Sequence, residues 1–473
     1  MLGIGGTLSA GNFVIIGYAA SLAGYAIVPV VFGCGIISLF TMLSYAELGT
    51  AIPLAGGEYT WVKVAYGGFI GFLTGWFEWL SNMFYAALSA IGVAYVTAYL
   101  IPQINIPISA VLVVIIFSII NLKGIKETSN AQTVVAALVL GILGIFILTG
   151  FPLAKGAQST ISPSLGLVGI FAATAYLFEL YLGAEAVAAA QAEIKNPGRN
   201  IPIAIVLSAI VLISLYTSLV FVAVGIVPPD ILSQQSSPIA FVAEQILGTA
   251  GGVLITVGLA IAGLAATNEA ILAQSHVLYA MSRDGYLPKG LCKIHKRFCT
   301  PHIAIIVSAF FTVILTATGL VNFVVYAVNL GFIVGFTIVN FSLIKLRKTA
   351  PHLKRHFKVP LYPLTPLAGI VTAAFLLIFI EPDVLILGLE LGVIALLVYY
   401  IRMVGYSRIR IAFGGISMGL GFFTAVLAYL LGNNVIVLQG ASPLLNSIVI
   451  WILILAAAIQ FAAGLLNVTA PDR

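Results

Sequence analysis

Long apolar runs separated by short polar segments dominate the hydrophobic pattern of this chain. Each run has roughly the 20 apolar residues that a helix needs to cross about 30 Å of hydrocarbon. Fourteen such runs can be counted, at 1–23, 27–43, 69–100, 106–121, 131–151, 166–191, 203–227, 251–280, 303–318, 322–344, 365–380, 384–401, 412–431 and 444–466. The pattern therefore predicts an all-α protein with 14 transmembrane helices, whose termini lie on the same side of the membrane.

Two of these runs contain sequences that interrupt a helix. The first run is rich in glycine between Gly3 and Asn12, and the sixth is broken around Gly183, within the segment from Tyr181 to Glu185. Unpaired backbone amides and carbonyls are not tolerated against lipid, so a break at membrane depth must be buried in protein or line a cavity. One interrupted helix in each half of a chain is the sequence signal for the central site of a secondary transporter.

The lysine and arginine residues are strongly segregated between the loops. The loops after even-numbered runs, together with the C-terminal tail, contain 20 of the 21 basic residues, and Lys155 is the exception. The positive-inside rule places these loops and both termini in the cytoplasm. The net charge of +6 is thus a topology signal, and we predict no nucleic-acid partner because no soluble domain presents a basic face.

The composition agrees with a membrane protein, and the motifs of the chain argue against a metal site and against an enzyme. The chain is 61% hydrophobic and 8% charged, which is more apolar surface than one soluble core of this length can bury. Cys292 and His295, followed by Cys299 and His302, resemble a zinc ligand set, but their spacing is atypical and we predict no metal site. No nucleotide-binding or nucleophile motif is present, so an enzyme is not expected.

Several loop motifs resemble those of the amino acid–polyamine–organocation (APC) superfamily of permeases. They occur in the family's order between Ser44 and Pro363. The motifs that carry the resemblance include Ser44–Leu48 (SYAEL), Pro53–Tyr59 (PLAGGEY), Asn121–Glu127 (NLKGIKE), Glu193–Pro197 (EIKNP) and Phe357–Pro363 (FKVPLYP).

The resemblance implies the fold of the bacterial leucine transporter. In that fold two inverted repeats of five helices form the core, here residues 1–151 and 166–344, and helices 1 and 6 are the broken ones. Helices 11 and 12, within 365–401, and the additional helices 13 and 14, within 412–466, would form four peripheral C-terminal helices.

The resemblance also implies where a substrate carboxylate binds. In the family the glycine motif of helix 1 holds this group, which here corresponds to the amides of Ser9, Ala10 and Gly11. The family pattern Gly-(Ala/Ser)-Gly-Ile-Phe is replaced by Ser9-Ala10-Gly11-Asn12-Phe13, and serine still supplies an amide while adding a hydroxyl. Amides at a helix N-terminus favour an anion in any case.

The amine of the substrate would be held at the break in helix 6. By resemblance, Phe178, Tyr181 and Leu182 offer their carbonyl groups to it. Met1 precedes the first break by only a few residues, so the inner half of helix 1 is short, and we expect the natural chain to start upstream.

Five glutamates fall within the predicted spans, where each is costly unless it is paired, hydrated or protonated. Glu185 matches the acid that follows the helix 6 break in many family members, and we expect it to sense protons or brace the break. Glu179 occupies a position that is commonly aromatic in the family, and it would favour a cationic group or carry a proton. Glu269 is expected to line the chamber, Glu78 to pair between helices, and Glu390 to lie peripherally.

The sequence leaves three alternatives for coupling: H⁺, Na⁺ or uncoupled exchange. Thr267 is a candidate sodium ligand, although threonine hydroxyls often bond their own helix backbone. We predict a secondary active transporter that moves a neutral or cationic amino acid across the cell membrane by alternating access, without a cofactor. A polyamine or organic amine transporter and an amino acid exchanger are the alternatives, a channel is less favoured, and the oligomeric state is left open.

Overall fold

A computed structural model of the chain describes residues 2–52, 56–124, 129–154, 166–189, 194–404, 409–433 and 443–469. Within these ranges all regular secondary structure is helical and no strand occurs. Parts of three quoted motifs lie outside the described residues, namely residues 53–55, 125–127 and 193, as do Met1 and Lys155. The prediction of an all-α protein is confirmed.

Nineteen α-helices follow one another along the described residues. The first nine are α1 (Leu2–Gly5), α2 (Ala10–Ala23), α3 (Ile27–Ala51), α4 (Gly57–Tyr66), α5 (Gly68–Ala98), α6 (Ile106–Leu122), α7 (Ser129–Gly150), α8 (Gly166–Leu177) and α9 (Ala186–Ala189). The others are α10 (Pro197–Ile226), α11 (Pro229–Leu232), α12 (Pro238–Leu247), α13 (Thr249–Arg283), α14 (His302–Ala317), α15 (Val321–Thr349), α16 (Leu364–Leu377), α17 (Pro382–Val404), α18 (Ile409–Gly432) and α19 (Pro443–Thr469).

Eight helical stretches of the described residues are long and apolar enough to cross a membrane, and six shorter apolar helices accompany them. One of the eight, Ala10–Ala51, covers two predicted spans, because only a short 3₁₀ turn at Gly24–Ala26 separates α2 from α3. Each of the fourteen predicted runs overlaps at least one helix. The number of membrane crossings and the inverted repeat stay predictions.

The chain forms two compact units. The first comprises Met1–Ser282 with Lys289–Leu385, and the second comprises Arg283–Pro288 with Ile386–Arg473. In the second unit α18 and α19 form an antiparallel pair, in which the Ser417 hydroxyl donates to the Gln460 carbonyl at 2.7 Å. A Cβ at Gly464 would lie 2.5 Å from the Gly414 carbonyl oxygen, so small residues allow these two helices to approach closely.

The predicted break in the first run is present between α1 and α2. Helix α1 ends at Gly5, and α2 starts again at Ala10 after Ser9, whose backbone is extended. The Ser9 hydroxyl accepts a hydrogen bond from the Gly11 amide at 3.2 Å, which satisfies one of the free amides at a helix start. The local sequence therefore ends one helix and caps the next.

The predicted break in the sixth run is also present. Helix α8 ends at Leu177, a 3₁₀ turn covers Phe178–Tyr181, and Leu182 is extended with φ −76° and ψ 142°. Gly183 then adopts φ +111°, a conformation that favours glycine, before α9 begins at Ala186. Both unwound segments belong to the first compact unit.

Candidate functional site

The two unwound segments touch each other through their backbones. A Cβ built on Gly183 would lie 2.5 Å from the carbonyl oxygen of Gly6 and 2.9 Å from the amide nitrogen of Thr7. No side chain fits there, and the positive φ of Gly183 disfavours one independently. Glycine at this position thus permits the direct contact of two helix breaks that lie about 180 residues apart in sequence.

A cavity of about 120 Å³ lies where these segments meet. The breaks contribute Gly6, Leu182 and Gly183 to its wall, and α13 and α15 contribute residues that include Ala270 and Phe332. Its volume is small, and its wall combines unwound backbone with side chains of distant helices.

Four carboxylates line this cavity, and none of the described residues in its wall is basic. They are Glu58 of α4, Glu78 of α5, Glu185 after the second break, and Glu269 of α13. Four ionised carboxylates in one small cavity would repel one another at low dielectric. Protons, a cation or a cationic ligand in the cavity would reduce this repulsion.

Glu185 braces the second break. Both of its carboxylate oxygens accept a hydrogen bond from the Gly183 amide, each at 2.9 Å. Glu185 also lines the cavity, and its role in coupling or gating stays a prediction.

Glu269 stands beside the first break. Its carboxylate accepts a hydrogen bond from the Gln132 side chain at 2.9 Å, and a Cβ at Gly6 would lie 3.0 Å from its Oε1. Glu269 thus lines the cavity next to unwound backbone, and its role in coupling stays a prediction.

Glu58 reaches the cavity from the short helix α4, outside the predicted spans. Its side chain is buried, and it accepts a hydrogen bond from the hydroxyl of Tyr45 on α3. Burial raises the pKa of the Glu58 carboxyl, the Tyr45 hydrogen bond opposes that rise, and the nearby Glu185 carboxyl adds to it.

Side chains from three helices satisfy the carbonyl groups exposed by the breaks. Tyr85 of α5 donates to the Gly6 carbonyl at 2.8 Å, and Tyr216 of α10 donates to the Thr7 carbonyl at 3.1 Å. Asn329 of α15 donates to the last carbonyls of α8, those of Ala175 and Tyr176, at 2.9 and 3.1 Å. Buried carbonyls need such partners because no water or lipid can supply them.

The residues predicted to hold a carboxylate are buried and do not line the cavity. Ser9, Ala10 and Gly11 are buried at the start of α2, and the Ser9 hydroxyl lies 2.9 Å from that of Ser89 on α5. A Cβ at Gly92 of α5 would be 2.3 Å from the Gly11 amide nitrogen, so α5 covers this end of α2. Their role in substrate binding stays a prediction.

The residues predicted to hold the amine are divided between the cavity and the interior. Leu182 lines the cavity, whereas Phe178, Glu179 and Tyr181 are buried and do not. The Tyr181 hydroxyl donates to the Val31 carbonyl at 2.8 Å, which anchors the second break on α3. The proposed contacts of their carbonyls with an amine remain predictions.

Thr267, Glu78 and Glu390 occupy three different environments. The Thr267 hydroxyl is buried and donates to the Gly263 carbonyl of its own helix at 2.8 Å. Glu78, expected to pair between helices, lines the cavity, and its Oε2 accepts no hydrogen bond from the described residues. Glu390 belongs to the second unit.

The sequence interpretation did not identify the roles of Tyr45, Glu58, Tyr85 and Asn82, all of which line the cavity. Glu58 was treated as part of a loop motif because it lies outside the apolar runs. Polar residues within apolar runs were a usable signal for Tyr85 and Asn82, because buried hydroxyl and amide groups need partners.

The paired Cys and His residues show no ligand geometry. His295 Nδ1 accepts hydrogen bonds from the backbone amides of Arg297 and Phe298, both at 3.2 Å. Among the described residues no group of three or more His, Cys, Asp or Glu side chains is placed to hold a metal ion. The imidazole therefore organises its own loop.

Comparison with known proteins connects this geometry to a family. The family profile of amino acid permeases matches residues 1–401. The chain is 30% identical over 400 residues to the methylthioribose transporter of Bacillus subtilis, which covers 78% of this chain and 85% of the relative. It is 26% identical over 433 residues to a branched-chain amino acid permease of the same species, covering 87% and 92%.

A relative from a plant is also named as an amino acid transporter. The vacuolar cationic amino acid transporter 2 of Arabidopsis thaliana is 28% identical over 376 residues, which is 74% of this chain and 59% of that protein. Together with the apolar helices, these similarities identify a multi-pass membrane transporter of amino acids or related substrates rather than an enzyme. The chain, with its two interrupted helices meeting at an acidic cavity, belongs to the amino acid permeases of the APC superfamily.

Proposed function

We propose that this protein is a secondary active transporter that carries a neutral or cationic amino acid across the cytoplasmic membrane by alternating access. The observation that carries the proposal is the contact between the two unwound segments, Gly6–Ser9 and Phe178–Glu185, at a shared polar cavity. Interrupted helices that meet in the interior are suited to a closed central site. A continuous pore would have no need of them.

In this proposal the two breaks bind opposite ends of the substrate. The positive end of α2, with the amides of Ser9, Ala10 and Gly11, binds the carboxylate, and the carbonyls of Phe178, Tyr181 and Leu182 bind the amine. The Gly11 amide donates to Ser9 in the present conformation, and α5 covers it. Substrate entry then requires α5 and α2 to separate, as expected of a carrier that alternates between closed and open states.

We further propose that protons are the coupling ion. Glu185 and Glu269 line a cavity in whose described wall four carboxylates come together, and a proton neutralises a carboxylate without needing space. Sodium stays the alternative, because the Thr267 hydroxyl donates its proton to the Gly263 carbonyl and keeps its oxygen lone pairs for a cation. The experiment must therefore distinguish proton coupling from sodium coupling and from uncoupled exchange.

Uptake into proteoliposomes tests the function and the coupling together. We expect an inward proton gradient to drive accumulation of an amino acid, and a sodium gradient alone to have no effect. Glu185→Gln and Glu269→Gln should lower proton-driven accumulation at least about tenfold, which corresponds to a loss of about 1.4 kcal/mol. Glu390→Gln, in the second unit, is the matched control and should transport normally.

Other results would point to other functions. Accumulation that follows the sodium gradient would show that sodium, and not the proton, is the coupling ion. Uptake that depends only on amino acid inside the vesicles would indicate an exchanger. Single-channel currents far above carrier turnover would indicate a channel and overturn the transporter proposal.

A related substrate class is the second candidate. The relative at 30% identity is named for methylthioribose, which is not an amino acid, and the acidic cavity would accommodate an organic amine or a polyamine. Thermal-shift screening of the purified protein should therefore include methylthioribose and polyamines beside the amino acids. Stabilisation by methylthioribose alone would favour this candidate.

A further inference from the structure

We propose that residues 289–300, in the connection between α13 and α14, bind the headgroups of anionic phospholipids at the membrane surface. We call this segment the basic loop. It lies within the first compact unit. Lipid binding there is independent of the substrate and of the coupling ion proposed above.

The basic loop carries four positive charges and no negative charge. The charged residues are Lys289, Lys293, Lys296 and Arg297, and all four are exposed. None of them forms an ion pair with the residues that the structure describes. The loop therefore presents a dense positive charge whose partner lies outside the described chain.

Two apolar side chains are exposed among these charges. Ile294 is 46% exposed and Phe298 is 36% exposed, and each directly follows a basic residue. The guanidinium carbon of Arg297 lies 5.4 Å from the centre of the Phe298 ring. The positive-inside rule accounts for the charge of such a loop, but it does not account for apolar side chains that are exposed between the charges.

A phospholipid matches both features of this surface. Its phosphate attracts the basic side chains, and the boundary between headgroups and acyl chains accommodates the apolar ones. Free phosphate offers charge alone and leaves Ile294 and Phe298 in water. The combination of charged and apolar side chains therefore favours a lipid over a soluble anion.

Hydrogen bonds order the basic loop. The His295 amide donates to the Thr300 carbonyl at 2.8 Å, and the Cys299 amide donates to the His295 carbonyl at 2.9 Å. The His295 ring stacks on that of Phe298, with 4.8 Å between the ring centres. An ordered loop loses little conformational freedom when it binds, so its charges are already arranged for a ligand.

The basic loop also lies at the ends of two apolar helices. The Thr300 hydroxyl donates to the carbonyl of Leu122, the last residue of α6, at 3.0 Å, and α14 begins at His302. The exposed Lys123 follows Leu122 and brings a further positive charge to this end of α6. Apolar helices of a membrane protein end near the headgroups, where anionic lipids attract basic residues over about 8 Å at physiological ionic strength.

Titration of lipid into the full-length purified protein tests the inference. The protein is freed of lipid in a neutral detergent, bound lipid is counted by native mass spectrometry, and thermal unfolding reports stabilisation. We expect phosphatidylglycerol to bind at least about tenfold more tightly than phosphatidylcholine with the same acyl chains. Inorganic phosphate at the same concentration should not stabilise the protein; stabilisation equal to that by phosphatidylglycerol would indicate a soluble anion and refute the lipid as the partner.

Variants assign the preference to the basic loop. The triple variant Lys293→Gln, Lys296→Gln and Arg297→Gln should lower the affinity for phosphatidylglycerol at least about tenfold and leave phosphatidylcholine binding unchanged. Ile294→Ser keeps every charge and should lower the affinity several-fold. The matched control also removes three exposed positive charges, at the end of α15 and in the segment that follows it, and should retain the wild-type affinity. Its substitutions are Lys348→Gln, Lys354→Gln and Lys358→Gln.

Two results would overturn the inference. One is equal affinity of the wild-type protein for phosphatidylglycerol and phosphatidylcholine, which decides the matter even where a variant does not fold. The other is a loop variant that loses no more affinity than the matched control, which would show that anionic lipid does not bind at the basic loop. Unfolding of each variant without lipid, at the wild-type temperature, verifies that the substitutions leave the fold intact.

Discussion

At the scale of single residues, the contact between the breaks depends on a glycine that cannot be replaced. Gly183 combines a positive φ with a position at which a Cβ would lie 2.5 Å from the Gly6 carbonyl oxygen. Backbone, unlike a flexible side chain, cannot move aside without separating the two unwound segments. The geometry of the cavity wall therefore rests on the absence of a side chain at one position.

We expect Gly183→Ala to destabilise the protein by about 1–3 kcal/mol, because alanine would be strained at this φ, and to abolish transport by displacing Gly6. Thermal unfolding in detergent and proteoliposome uptake measure the two effects. Gly33→Ala is the control, since a Cβ there meets no atom within 4 Å and alanine favours a helix by up to about 1 kcal/mol. Equal stability of the two variants would contradict the role of Gly183.

At the scale of secondary structure elements, Glu47 joins α3 to the end of α15 and the segment that follows it. Its buried carboxylate accepts from Arg347 at 2.8 and 2.5 Å and from the Val359 amide at 2.6 Å, and Arg355 lies 3.3 Å away. The guanidinium of Arg347 also lies over the Tyr362 ring. Glu47 and Val359 belong to the motifs SYAEL and FKVPLYP, so two motifs far apart in sequence form one junction.

Replacing Glu47 with Gln should cost about 3–5 kcal/mol, because it removes a fully buried carboxylate that two mostly buried arginines share as their counter-charge. The midpoint of thermal unfolding in detergent measures this loss. Asp284→Asn provides the comparison, since its partner Arg283 is 52% exposed and such pairs contribute at most about 1 kcal/mol. A similar, small effect of both substitutions would show that the junction does not stabilise the fold.

At the scale of the whole molecule, the segregation of basic residues sets the expected orientation. Cys292 and Cys299 lie between α13 and α14, in a loop predicted to be cytoplasmic, and neither is fully buried. Ser236 is exposed between α11 and α12, on the side predicted to be outside. These positions allow the topology to be tested with thiol chemistry.

We expect a membrane-impermeant maleimide to label Ser236→Cys in intact cells when Cys292 and Cys299 are replaced by serine. The two native cysteines of the wild-type protein should react only after the cells are permeabilised, because their loop is held inside by its lysines and arginines. Mass spectrometry of the labelled protein distinguishes the sites. Labelling of Cys292 or Cys299 in intact cells would show that this loop faces the outside, which contradicts the predicted orientation.

The candidate site was predictable from the sequence only where a residue has a local signature. The breaks that contain Ser9 and Gly183 are predictable because glycine interrupts an apolar run, which depends on neighbours in sequence, whereas the role of Ser9 was implied by the resemblance to the family. Glu58 was not found, because its burial depends on Tyr45 of α3 and on a cavity built by several distant segments.

The sequence by itself determined the helical class and both helix breaks, because the length of apolar runs and the chemistry of glycine act locally. Its loop motifs also indicated the permease family, by resemblance. Only the tertiary structure decided which side chains meet at the breaks. It brought Glu58, Glu78, Glu185 and Glu269 to one cavity and placed Ser9–Gly11 beneath α5. Such proximity results from the packing of helices that lie far apart along the chain.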